Sequence, residues 1–258
     1  MVGQVLNNAM GYRDFVYLPS KRLMFTAISD MSALSRVDSY FTNMDLPWEK
    51  NKNPNQVLLS VGVIEALIQP KAGVLEFERI WCKSNKSQAI CMSWSDAMSS
   101  LAIGFDSGQF EILTVDTQNP LSYKETYTSS VHKSRIMGIW IDGMRSLCYT
   151  ISEDKTLKVT DLKVKELLAD IYVTSTKLTC LEIDSENKTA FIADRGGQIH
   201  IYDLIPMKPQ FIQIITTPSK GSIRGLYICN VQQLLFASCF DDGMIHGYKL
   251  NGNGSKVH

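Results

Sequence analysis

The chain has 258 residues, of which 45% are hydrophobic and 20% are charged. Its 26 Lys and Arg residues balance 26 Asp and Glu residues, and a net charge of zero gives no overall attraction for the phosphates of nucleic acid. The longest apolar run, residues 57–68, contains polar breaks and is shorter than the ~20 residues that cross a bilayer, so no membrane span is expected.

The beginning of the chain and its cysteines indicate a cellular compartment. Residues 1–10 contain neither a basic residue nor a long apolar block, which argues against a secretory signal or a transit peptide. The six cysteines include no Cys-x-x-Cys pair, and four lie in apolar runs, so we expect reduced, buried thiols. These features predict a cytoplasmic protein, with association with the cytoskeleton or with endosomes left open.

A repeated pattern of alternating apolar runs and short polar turns extends along the chain and predicts strands rather than amphipathic helices. We expect one domain over residues 1–258. Its units are expected at about residues 11–40, 41–83, 87–118, 134–164, 176–206 and 222–250.

The first third is the least regular part. Residues 15–30 match the template of the later units and give a first unit. Residues 41–83 contain either a divergent further unit, with strands at 57–62 and 73–78 joined through 64–72, or a loop insertion. Residues 43–56, with two prolines, are typical of an exposed loop.

The last four units share one register. Gln109, Thr156, Gln198 and Met244 each follow a tight turn, at intervals of 47, 42 and 46 residues. The turns contain Asp, Gly or Lys, and Gly and Asp tolerate the positive φ that short hairpins require. Three visible strands and a weaker fourth within 42 to 47 residues match one four-stranded blade of a β-propeller.

The sequence resembles the WD-repeat family. The Trp-Asp pair that closes the third strand in that family is present in altered form, for example as Thr160-Asp161 and Tyr202-Asp203. Residues 91–94, 102–108 and 231–238 are most similar to the propeller portion of WD-repeat and FYVE-domain proteins. A FYVE finger needs paired Cys-x-x-Cys zinc ligands, and this chain has none, so lipid binding is not implied.

The fold class expected is therefore all-β, a WD-type β-propeller with about five to six blades. The last recognisable strand ends at Leu250, and residues 251–258 are too rich in Gly and Asn for a good fourth strand. The propeller is then either incomplete or closed by residues 2–6. If it is incomplete, a partner or a second copy completes the last blade, because unpaired strand edges invite association.

No catalytic, cofactor-binding or metal-binding residue is expected. His200 and His246 occupy the same position in adjacent units, but no third ligand marks a metal site. Asp154 and Asp242 lie where the hairpins need Asp, so we interpret them as structural turn residues. Trp48 lies in the polar loop beside Pro47 and is a candidate interface anchor, with folding of the loop over a blade as the alternative.

The function predicted is a non-catalytic scaffold that binds protein partners within a larger intracellular assembly, without a cofactor. Two alternatives remain open at this point. One is a hydrolase with a propeller fold and a metal ion in its central channel, and the other is an endosomal propeller that binds phosphoinositides.

Overall fold

The computed structural model describes residues 12–28, 62–68, 78–85, 87–116 and 122–250. These residues form nineteen strands and one short 3-10 turn, Pro19–Lys21. Contacts divide the chain into two compact units, Met1–Ile90 with Asp116–Ser122, and Cys91–Val115 with Tyr123–His258. Among the described residues, no helix is long and apolar enough to cross a membrane.

The first unit contains one antiparallel sheet. Its strands, in spatial as in chain order, are β1 (Tyr12–Leu18), β2 (Leu23–Ile28), β3 (Gly62–Ile68) and β4 (Glu78–Asn85). Because β2 pairs with β3, strands on both sides of residues 29–61 belong to this sheet. The choice between a divergent unit and an insertion stays a prediction, since residues 29–61 and 69–77 lie outside the described residues. The assignment of residues 64–68 to a connection was wrong, because β3 covers them, and apolar patterning does not fix where a strand ends in a continuous apolar run.

The second unit contains three consecutive four-stranded antiparallel sheets. The first comprises β5 (Ala89–Ser95), β6 (Ser100–Phe105), β7 (Gln109–Val115) and β8 (Tyr123–Ser130). The second comprises β9 (Ile136–Asp142), β10 (Leu147–Ser152), β11 (Thr156–Asp161) and β12 (Glu166–Tyr172). The third comprises β13 (Leu178–Asp184), β14 (Thr189–Asp194), β15 (Gln198–Asp203) and β16 (Gln210–Thr216).

The last sheet has three strands, β17 (Ile223–Cys229), β18 (Leu234–Cys239) and β19 (Ile245–Lys249). Within the described part of the chain, no fourth strand pairs with β19. The consequence is visible in burial: β7, β11 and β15 are largely buried, whereas β19 alternates between exposed and half-buried residues. Residues 2–6, the expected closing strand, lie outside the described residues.

The apolar core of the second unit lies between successive sheets. All six residues of β6, β10 and β14 are buried, because each second strand has a strand on both sides and a neighbouring sheet against its faces. One core cluster joins Tyr149 and Val159 to Leu178 and Ile192 of the next sheet. This double burial explains the continuous apolar runs that made the repeat visible in the sequence.

The turns repeat as regularly as the strands. The first hairpin of each sheet in the second unit contains a non-glycine residue with φ between 46° and 59°: Ser99, Ser146, Lys188 and Gln233. The second hairpin contains a residue with φ between 66° and 81°: Gly108, Lys155, Gly197 and Gly243. The fold is thus all-β and of the WD-like propeller type, as the sequence predicted, and its last sheet has three strands among the described residues.

Candidate functional site

Three histidines of the second unit each lie beside an aspartate near a turn between a second and a third strand. The pairs are His132–Asp154, His200–Asp194 and His246–Asp242, with nitrogen–oxygen distances of 3.0, 3.1 and 3.3 Å. His200 and His246 lie on third strands, β15 and β19, whereas His132 lies in the connection between β8 and β9. The side chains of the first two pairs are at most 11% exposed, while those of the last pair are 20% and 26% exposed. These turns therefore contain two closed clusters and one open cluster.

Asp154 organises the first cluster. Its carboxylate accepts hydrogen bonds from the Thr156 hydroxyl at 2.6 Å and from the Lys133 N–H at 2.9 Å, and it pairs with His132 Nδ1. The other ring nitrogen of His132 contacts the Thr150 hydroxyl at 2.8 Å. Burial alone would raise the pKa of Asp154, but the bonds from His132, Thr156 and Lys133 outweigh burial and hold this pKa well below its usual range.

Asp194 organises the second cluster and is completely buried. Its carboxylate accepts hydrogen bonds from backbone N–H groups of its own turn and from three side chains. The donors are the Gly196 N–H, the Gln198 N–H, the Thr174 and Thr176 hydroxyls and His200 Nε2. Burial opposes ionisation of Asp194, but the hydrogen bond from His200 and those from Thr176 and the backbone lower its pKa.

The third cluster includes a residue that sequence reasoning missed. The thiol of Cys239 lies with the carboxylate of Asp242 and the imidazole of His246, and one ligand atom of each lies within 4.8 Å of the others. Cys239 is the last residue of β18, as Asp194 is the last residue of β14. The sequence does contain a signal for this cluster, because three ligand-type residues lie around one hairpin: Cys239, Asp242 and His246. The expectation of no metal site rested on the histidine positions alone.

The hairpins at the other end of the sheets contain an ion-pair cluster that the sequence analysis did not single out. Asp142, whose side chain is 2% exposed, accepts from Arg145 Nε at 2.7 Å and lies 3.3 Å from Lys188 Nζ. Arg145 also donates to the carbonyl of Leu204 at 2.6 Å. Burial raises the pKa of Asp142, but hydrogen bonds from Arg145 and Lys188 outweigh this effect and the net pKa is lowered. Because Asp142 and Arg145 belong to one sheet while Lys188 and Leu204 belong to the next, this cluster ties the two sheets together.

The structure describes two of the three residues that the sequence analysis singled out, Asp154 and Asp242, but not Trp48. Asp154 and Asp242 lie in the second hairpins of their sheets and accept backbone N–H bonds there, from Thr156 and Met244 respectively. Trp48 lies outside the described residues, so its role as an anchor stays a prediction.

Large apolar side chains lie exposed on the last sheet. The exposed fraction is 72% for Ile245, 69% for Phe240 and 62% for Tyr227. Met244, in the turn before β19, is also exposed. Ile245 belongs to β19, which pairs with no fourth strand among the described residues.

Comparison with known proteins gives a distant relationship. No model of a known protein family matches the chain. The WD repeat and FYVE domain-containing protein 1 of Homo sapiens, of Mus musculus and of Bos taurus is in each case 25% identical over 204 residues. The match covers 71% of this chain and 48% of each relative, so the chain spans about half the length of the curated relatives it matches.

The chain is similar to WD-repeat proteins. This similarity agrees with the strand order and period of the sheets, and it confirms the resemblance that the sequence indicated.

Proposed function

We propose that the chain is a non-catalytic cytoplasmic scaffold that binds protein partners within a larger assembly. The observation that carries the proposal is the uncovered third strand of the last sheet. Each complete sheet of the second unit has a fourth strand of seven or eight residues over this position, and β19 has none among the described residues. An uncovered strand presents unpaired N–H and C=O groups to an extended segment of another protein.

The backbone of β19 is oriented for this pairing. The N–H of Cys239 donates to the carbonyl of Met244 at 2.9 Å. Because backbone groups of successive residues alternate in direction along an antiparallel strand, those of Ile245, Gly247 and Lys249 face away from β18. They supply the hydrogen bonds that a docked strand would use.

The side chains favour an apolar segment. Ile245 of β19 is 72% exposed, so an apolar side chain of the partner that packs on it would remove it from water. The names of the WD-repeat relatives support a repeat-based binding role without specifying a partner.

The test uses the intact chain as bait in a cell extract, compared with two variants. Ile245→Lys places a charge on the exposed apolar position of β19, and Met144→Lys makes the same change at an equally exposed residue of a different hairpin. We expect a stoichiometric protein partner that is retained by Met144→Lys and lost by Ile245→Lys, with circular dichroism unchanged in both variants. Absence of a partner sensitive to Ile245→Lys, or self-association sensitive to that change in the purified chain, would overturn the proposal.

A further inference from the structure

The hairpin between β18 and β19 brings together a thiol, a carboxylate and an imidazole. Cys239 ends β18, Asp242 lies in the turn and His246 is in β19. Their ligand atoms lie within 4.8 Å of one another, and Asp242 Oδ2 is 3.3 Å from His246 Nε2. The three residues come from an eight-residue stretch, so a single hairpin fixes the positions of all three ligands.

Comparison with the preceding sheet shows what is special about this hairpin. His200 pairs across its sheet with Ile192, and His246 with Ala237, each two residues before the end of the second strand. At that end the preceding sheet has Asp194, which receives hydrogen bonds from two threonines and from His200. Cys239 occupies the equivalent place. A thiol is a weak hydrogen-bond acceptor but a strong metal ligand once deprotonated, so the exchange converts a hydrogen-bonded cluster into a set of metal donors.

The spacing of the donors suits a tetrahedral zinc ion. With Zn–N and Zn–O distances of about 2.0–2.2 Å, tetrahedral geometry separates the nitrogen and oxygen ligands by roughly 3.3 Å. The measured separation of Asp242 Oδ2 and His246 Nε2 is 3.3 Å. A Zn–S distance of about 2.3 Å puts the sulfur roughly 3.6 Å from either ligand, which small side-chain rotations within the 4.8 Å cluster provide.

The surroundings hold the carboxylate in place while leaving one oxygen for a metal. The N–H of Met244 donates to Asp242 Oδ1 at 2.8 Å, and Ser219 donates a side-chain hydrogen bond to the same carboxylate. Asp242 Oδ2 faces His246. Such supporting bonds to a ligand carboxylate orient it and reduce the ordering needed when the ion binds.

We propose that Cys239, Asp242 and His246 bind Zn²⁺ with three protein ligands and one open coordination position. Binding transfers the thiol proton of Cys239 to solvent and leaves a Zn–thiolate bond, without a change in oxidation state. One sulfur, one nitrogen and one oxygen ligand form a donor set that zinc accepts, whereas magnesium and calcium require oxygen ligands. The ion would join β19 to the end of β18 and stabilise β19, which has no fourth strand beside it in the described part of the chain. The expectation of no metal site rested on histidine positions alone and did not include Cys239.

The test measures zinc binding to the intact, chelator-treated chain by isothermal titration calorimetry. Three single variants remove one ligand each: Cys239→Ser, Asp242→Asn and His246→Gln. Cys229→Ser is the matched control, since Cys229 is a partly buried free thiol of the same sheet, at the far end of β17. We expect one zinc ion per chain, and an affinity at least about tenfold lower in each ligand variant but unchanged in Cys229→Ser.

Cobalt(II) gives a second readout that does not depend on stability. A Co²⁺-loaded chain should show a thiolate-to-metal charge-transfer band in the near ultraviolet that is lost in Cys239→Ser and kept in Cys229→Ser and in Ile245→Lys. Zinc binding that is absent, or that is the same in the wild type and in Cys239→Ser, would overturn the site. Because Ile245 is not a ligand, loss of partner capture in Ile245→Lys with zinc binding intact would separate this site from the docking strand.

Discussion

Removal of the Asp194 carboxylate should destabilise the second unit strongly. The Asp194 side chain is fully buried and accepts five hydrogen bonds. In Asp194→Ala the two backbone donors of the turn can bind water, but buried His200 Nε2 loses its partner and the Thr174 hydroxyl keeps only the Thr176 hydroxyl, at 3.3 Å. An orphaned buried donor costs about 1–3 kcal/mol, and bonds to a charged acceptor contribute about 1.5–3 kcal/mol each, so we expect a loss of about 4 kcal/mol.

The matched control for this change is Asp203→Ala. Asp203 is also an aspartate at a strand end of the same sheet, but it is partly exposed and accepts one bond, from the Ile205 N–H at 2.8 Å. We expect a loss of about 1 kcal/mol for this variant. Urea unfolding followed by tryptophan fluorescence and circular dichroism gives both values, provided that the slope with urea is unchanged. The reasoning fails if Asp194→Ala costs no more than Asp203→Ala.

The same carboxylate makes a prediction about acid. The pKa of Asp194 is lowered in the folded chain, so its stabilisation is complete above the unfolded pKa of about 3.9 and is lost as the pH falls through the folded value. Asp194→Asn has no ionisable group at this position. The difference in unfolding free energy between the wild type and Asp194→Asn should therefore shrink as the pH falls below about 4, and a constant difference between pH 7 and pH 2 would contradict this assignment.

Two further substitutions test how the sheets are joined. Gly108 has φ +81°, and a Cβ there would lie 2.3 Å from the carbonyl oxygen of His132, so Gly108→Ala should lower the free energy of unfolding by more than about 2 kcal/mol. Gly243 has φ +66° with open space around it, so Gly243→Ala should lower it by about 1 kcal/mol. Equal losses in thermal unfolding would refute the role of close approach. Arg145→Ala removes an ion-pair partner from the buried carboxylate of Asp142 and should lower the free energy of unfolding by about 2–3 kcal/mol. Arg145→Lys should recover only part of this loss, because an ammonium cannot reproduce the forked contacts of the guanidinium. Full recovery in urea unfolding would contradict this account.

The strands in the last two thirds of the chain were predictable because equivalent strands have equivalent neighbours in successive sheets. Residues at the second-strand positions, such as those of β10 and β14, are buried on both sides and therefore form apolar runs at a fixed period. The hairpins were predictable from the same register, including Lys155 and Lys188 at positions of positive φ where glycine is commoner. In the first unit the period is broken between β2 and β3, and local patterning assigned residues 64–68 of β3 to a connection.

The candidate site was only partly accessible from sequence. Asp154 and Asp242 were assigned to turns from hairpin chemistry, which depends on neighbours in the chain. The partner of Asp154, His132, lies 22 residues away in the connection between two sheets, and the two side chains meet only when those sheets are folded. The thiol of Cys239 was expected as a core residue, since its apolar strand pattern gives no indication of what lies beyond the strand end.

The sequence by itself determined the all-β class, the blade-like period and the turn chemistry, because these follow from burial and backbone geometry within about 45 consecutive residues. Only the tertiary structure decided which side chains meet across those turns. Registration between strands brings Cys239 to His246 and turns the backbone groups of Ile245 away from β18, and registration depends on the packing of whole sheets rather than on any local pattern.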